Sequence, residues 1–100
     1  MIKFLYDGNK ITAGLYGEID HHNATIMREK LDLSIKENIP EELILDFENI
    51  TFMDSSGVGL IMGRYKLMNE LDGKIIIKNT SPQIKKIMKL SGIDKLAQIL

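Results

Sequence analysis

The sequence has no cysteine, no tryptophan and only two prolines among its 100 residues. Without cysteine there can be no disulfide framework, thiolate metal site or cysteine nucleophile, an absence that fits a reducing cytosol. Six aromatic residues, none of them tryptophan, make no stacking platform for nucleic-acid bases. Charge of one sign is also lacking. Thirteen basic residues face fourteen acidic ones, so nothing supplies affinity for a phosphate backbone. No apolar run approaches the roughly 18 residues of a membrane span. The segment Met1 to Asp7 is too short and too soon acidic for a signal peptide. A soluble, intracellular chain is expected, with a protein or small-molecule partner and neither nucleic acid nor membrane. One hundred residues suffice for one hydrophobic core, so residues 1–100 should form a single domain.

Within that length the elements alternate. Ile2 to Tyr6 and Ile11 to Tyr16 read as short strands, and Asp7-Gly8-Asn9-Lys10 between them carries hairpin chemistry. Ala24, Met27, Leu31 and Ile35 recur at helical spacing, which predicts an amphipathic helix of roughly four turns that Asp20 or Asn23 can cap and that ends before Pro40. Leu43 to Phe47 is an apolar run suited to the sheet centre. From about Ser56 to Leu71 the positions Val58, Ile61, Tyr65 and Met68 make a second apolar stripe, with Gly73 as its stop. Lys74 to Lys78 reads as a further strand. Ser81-Pro82 then offers an N-cap and a first-turn proline to a last helix, closed by Gly92. Residues 93–100 fit either strand or helix. The order is ββαβαβα plus a tail, and right-handed crossovers make the later strands parallel. Their following loops, Asp20-His21-His22, Asp54-Ser55-Ser56 and Thr80-Ser81, should then meet at the carboxyl rim of the sheet, where ligands of open α/β sheets gather.

The central loop carries the most chemistry. In Phe52-Met53-Asp54-Ser55-Ser56-Gly57-Val58-Gly59 a strand passes into a helix through two hydroxyls. A serine there lies near unpaired backbone N–H groups and the positive end of the helix dipole, so a phosphoryl group would be partly solvated in advance. The simpler use of Asp54 or Ser55 is as an N-cap. Hydrolysis would need Ser55 as nucleophile with His21 or His22 and Asp20 or Asp54, but the G-x-S-x-G elbow is missing. Adjacent histidines lack the i, i+4 spacing of a helical metal pair. Nucleotide binding through this loop would lack both the P-loop lysine and the G-x-G-x-x-G fingerprint. Gly59 and Gly63 are better explained as small residues allowing close helix approach, with Gly57 leaving room for another molecule at the turn. Lys85, Lys86 and Lys89 read as a solvated face.

Taken together, Gly17-Glu18-Ile19-Asp20-His21-His22, the stretch from Phe52 to Gly59, and Gly63-Arg64-Tyr65-Lys66 resemble the bacterial anti-sigma factor antagonists of the STAS fold over most of the chain. The resemblance implies a single α/β STAS-like domain: a mixed sheet that opens on an antiparallel hairpin and continues in parallel strands, with helices mainly on one face. It implies Ser55 as phosphoacceptor and Asp20, His21, Asp54, Ser55, Ser56 and Gly57 as the partner-binding set. The implied partner is an anti-sigma factor that is itself a serine kinase of the histidine-kinase-like ATPase fold. Phosphorylation of Ser55 would break that association, and a metal-dependent phosphatase of the PP2C type would restore it. No metal, cofactor or catalytic activity is implied. The free chain is expected to be a cytoplasmic monomer, in a sporulating cell or its forespore if the likeness extends that far. A small-ligand or nucleotide-binding module using the same rim is the alternative.

Overall fold

A computed structural model describes all residues from Met1 to Leu100. Strand β1 (Ile2–Asp7) turns through Gly8 and Asn9 into β2 (Lys10–Ile19), with Asp7 opposite Lys10. Gly8 sits at φ +60° in the first central position, as a II′ hairpin requires. Helix α1 (His21–Asn38), β3 (Glu42–Met53), α2 (Ser55–Glu70), β4 (Lys74–Lys78) and α3 (Pro82–Leu90) follow. The tail resolves into both of its alternatives: a single 3₁₀ turn over Ile93–Lys95, then a short strand β5 (Gln98–Ile99) on the edge of β4. The sheet order is β1-β2-β3-β4-β5, antiparallel in the first pair and parallel thereafter, which places β3 at the centre as expected.

Burial alternates along the strands, so only one face of the sheet is fully covered. Ile11, Ala13, Leu15, Leu43, Leu45, Phe47, Ile75 and Ile77 point into the core under the helices, whereas Thr12, Gly14, Ile44, Asp46 and Ile76 are half-buried on the other face. Met27, Leu31 and Ile35 from α1, Leu60, Ile61 and Met68 from α2, and Ile84 and Met88 from α3 join that core.

Several sequence expectations need correction. Helix α1 is longer than four turns, and Asp20, not Asn23, caps it: the Asp20 Oδ1 accepts the Asn23 N–H at 2.8 Å. Strand β3 runs six residues past Phe47. Its polar stretch Glu48-Asn49 hides this because the register against β2 slips twice, between Gly14 and Tyr16 and between Gly17 and Glu18, each slip inserting one extra residue in β3. The Asp46 carboxylate supports the first bulge by accepting from the Glu48 N–H and from Asn79 Nδ2, both at 3.0 Å. The buried stripe of α2 comprises Gly57, Leu60, Ile61, Arg64 and Met68, leaving Val58 and Tyr65 half-buried at its margin. Gly73 does stop α2, but not by a left-handed φ, which belongs to Asp72. It is small because a Cβ there would lie 2.6 Å from Met68 Cε and 2.9 Å from the Pro40 carbonyl.

Candidate functional site

The parallel register pairs Ile19 with Met53, so the residues that follow, Asp20 and Asp54, emerge side by side at the rim. Both are extended, and each caps its helix through a carboxylate. Asp54 Oδ1 accepts the Ser56 N–H at 2.8 Å, its carbonyl accepts the Gly57 N–H at 3.0 Å, and its own N–H donates to the Ile19 carbonyl at 3.2 Å. Two negative caps thus stand at two neighbouring positive helix ends, a pairing that stabilises both termini. Ser55, the first residue of α2, is exposed with its hydroxyl free, while Ser56 is half-buried. His21 and His22 are both exposed.

Of the six residues expected in the partner-binding set, Asp20, His21, Asp54, Ser55 and Ser56 therefore share one rim. Gly57 does not present an open surface. It is buried, and a Cβ at this position would collide with the Met53 side chain and come within 3.3 Å of Ile19 Cγ2. Its smallness serves the docking of α2 on the ends of β2 and β3. Gly59 and Gly63 show the opposite departure: nothing lies within 4 Å of a Cβ at either, so they do not mediate close helix approach. Ser81 is spent as a cap, its Oγ accepting the Ile84 N–H at 3.2 Å, and it borders a small cavity with Thr51, Phe52 and Met53. Strand β4 ends opposite Asp46, far short of Met53, which is why the third loop reaches the rim only through the start of α3.

Two features escaped the sequence. Phe52 is 50 % exposed beside the serine turn, because the second bulge sets it opposite Glu18 and away from the core. Arg64 is buried, its guanidinium Nε 2.9 Å from Asp32 Oδ1 on α1. The N–H is not directed at that oxygen, so the contact is ionic without a well-formed hydrogen bond, and Arg64 Nη1 is buried with no partner. Burial pushes the guanidinium below its ordinary pKa; Asp32 opposes that shift and the charge on Arg28 adds to it. The signal for this burial was present in the spacing, since Arg64 falls on the same helical face as Leu60, Ile61 and Met68.

A five-stranded mixed sheet with this strand order, helices on one face and a capped serine turn at the carboxyl rim defines the STAS class, and residues 11–99 match the STAS domain model. The chain belongs to the STAS domain family. Within it, the similarity runs to anti-sigma factor antagonists. The anti-sigma F factor antagonist of Paenibacillus polymyxa is 38% identical over 85% of this chain and 73% of its own length. That of Lysinibacillus sphaericus is 38% identical over 79% of this chain and 68% of its own. Among solved structures, the anti-sigma factor antagonist SpoIIAA in its unphosphorylated form superposes with a TM-score of 0.86 at 31% identity, covering 100% of this chain and 88% of that one. SpoIIAA in its phosphorylated form superposes with a TM-score of 0.79. No helix of the chain is long and apolar enough to cross a membrane.

Proposed function

We propose that this chain is a phosphorylation-switched anti-sigma factor antagonist: unphosphorylated, it binds an anti-sigma factor that is also a serine kinase, and so frees a sigma factor for transcription. Ser55 is the acceptor. The observation that carries this assignment is the exposed, neutral Ser55 hydroxyl on the first turn of α2, beside a half-buried Asp54 and next to Asp20 at the same rim. Asp20, His21, Asp54 and Ser56 surround it as docking residues, and the exposed ring of Phe52 supplies an apolar anchor of the kind that dominates interface energies. Gly57 acts indirectly, by seating the turn. The likeness to SpoIIAA in both forms supports a fold that survives modification. A PP2C-type phosphatase would reset the chain, which works as a cytoplasmic monomer, and the anti-sigma F relatives favour a setting in sporulation or the forespore.

The electrostatics explain how one phosphate can act on binding and spare the fold. Phosphoserine brings nearly two negative charges next to Asp54. Each repulsive pair at about 4 Å costs ~1 kcal/mol in water and ~4 kcal/mol near a protein surface. The helix terminus returns roughly 0.3–2 kcal/mol. On an open rim, water screens what remains. Beneath a partner the unmatched charge loses its hydration, and a penalty of about 4 kcal/mol weakens association nearly a thousandfold.

Incubation with the cognate kinase and ATP should add one phosphoryl group, mapped by peptide mass to Ser55. Ser55→Ala should accept none and still bind, whereas Ser55→Glu should bind weakly. Modification at Ser56, or equal binding by all three forms, would overturn the assignment.

A further inference from the structure

Between the amino-terminal halves of α1 and α2 lies an open cleft of about 210 Å³, lined by His21, Thr25, Arg28, Ser56, Gly59 and Arg64. Its position is a consequence of two features already described: the capped helices start side by side, and Gly59 leaves open space where any other residue would place a side chain. The lining carries two guanidinium groups, an imidazole and the Ser56 hydroxyl, and no carboxylate; the Thr25 hydroxyl, also in the lining, donates to the His21 carbonyl at 3.2 Å. Asp32 pairs with Arg64 one turn further along α1, outside the cleft.

Arg64 marks the cleft as more than a charged surface. Its side chain is only 8% exposed, yet Nη1 has no acceptor anywhere in the protein. A buried donor left unmade costs free energy, and a charged one costs more, so an anion in the cleft that Arg64 lines would offset part of that cost by meeting the small part of the guanidinium side chain that is still exposed. Guanidinium groups match the two-oxygen edge of carboxylate and phosphate. The volume is too small for a drug-sized ligand but ample for one such group.

We infer that the cleft between α1 and α2 is an oxyanion-binding site, taking one phosphate or carboxylate group of a small molecule between Arg28, Arg64 and the Ser56 hydroxyl. Arg28 is exposed and closes on the ligand from the rim, Arg64 receives it from below, and the wide mouth suits an anion that exchanges with solvent.

The test needs only the isolated chain, so its outcome is independent of the kinase and of Ser55 modification. The ¹⁵N-labelled protein is titrated with sodium phosphate, with sodium acetate, and with sodium chloride at matched ionic strength. Saturable amide shifts at Thr25, Ser56 and Gly59, together with a shift of the Arg64 Nε–H, are expected with phosphate, with acetate or with both, and not with chloride. Which anion saturates identifies the group the site prefers. Arg28→Gln, a change at an exposed position, should raise the apparent Kd roughly tenfold or more. Arg64→Lys, which keeps the charge and loses the planar fork, should also weaken binding if the variant retains the wild-type amide spectrum. Shifts that follow ionic strength alone, or saturation unaffected by Arg28→Gln, would overturn the inference.

Discussion

Gly57 and Gly59 stand two residues apart in α2 and do opposite things. At Gly57 a methyl group would meet the buried Met53 side chain at its middle, not at a free end, and Ile19 behind it. Overpacking of this kind costs about 1–3 kcal/mol, against a helix-propensity gain of about 1 kcal/mol for Gly→Ala. At Gly59 the methyl enters open space and only the gain remains. Gly57→Ala should therefore lower stability, and Gly59→Ala should raise it by about 0.5–1 kcal/mol, or some 4 °C in Tm for a chain of this size. Denaturant unfolding of the two variants beside the parent checks the sign at each. Equal and favourable effects would show that Gly57 is no packing residue. The sequence alone assigned them the wrong way round, close approach to Gly59 and open room to Gly57, because both follow the serine turn and neither carries a local signal of what lies against it. Which atoms approach is decided by strands that are distant in the chain.

At the scale of elements, the ends of α1 contrast. Its start is well made, with Asp20 on the Asn23 N–H and Asn23 Nδ2 donating to the Glu18 carbonyl at 3.0 Å. Its end is strained: Ile39, β-branched and 58% exposed, is held at φ +43°, the left-handed region where a Cβ crowds the following carbonyl. Pro40 fixes the helix stop in the sequence, but glycine or asparagine, the usual residue for this conformation, is missing. Ile39→Asn should stabilise the chain by about 1 kcal/mol, seen as a higher urea midpoint at unchanged slope. A lower midpoint would mean that the isoleucine packs more than it strains. Helix spans were legible because caps and periodicity are local signals; Asp54, Ser81, Pro40 and Gly92 all act where they were expected. The length of β3 was not. Its last six residues break the alternating pattern because two bulges re-aim their side chains, and a bulge is a relation between strands, invisible in either one.

At the scale of the whole molecule, most of the topology followed from connection rules alone. A hairpin followed by parallel crossovers puts the loops after the strands at one rim, so the neighbourhood of Asp20 and Asp54 was legible without any tertiary information; the third crossover, which adds β5 beside β4, was not. The contact between α1 and α2 was not legible. Arg64 sits within an apolar stripe, and its anion, Asp32, belongs to another helix 32 residues earlier. This pair is where the two helices that flank the serine turn meet through charge, and its partners are unequal: the arginine is buried, while the aspartate keeps 27% of its side chain exposed. Removing one member of a buried pair leaves the other charge uncompensated, whereas removing both restores an apolar seam. Asp32→Ala should accordingly destabilise the protein by about 3 kcal/mol, and Asp32→Leu combined with Arg64→Met should recover most of that loss. Thermal unfolding of parent, single and double variants completes the comparison. A single variant as stable as the parent would mean that water reaches Arg64 as readily as Asp32 does, and that the two helices are held beside the serine turn by the apolar core alone.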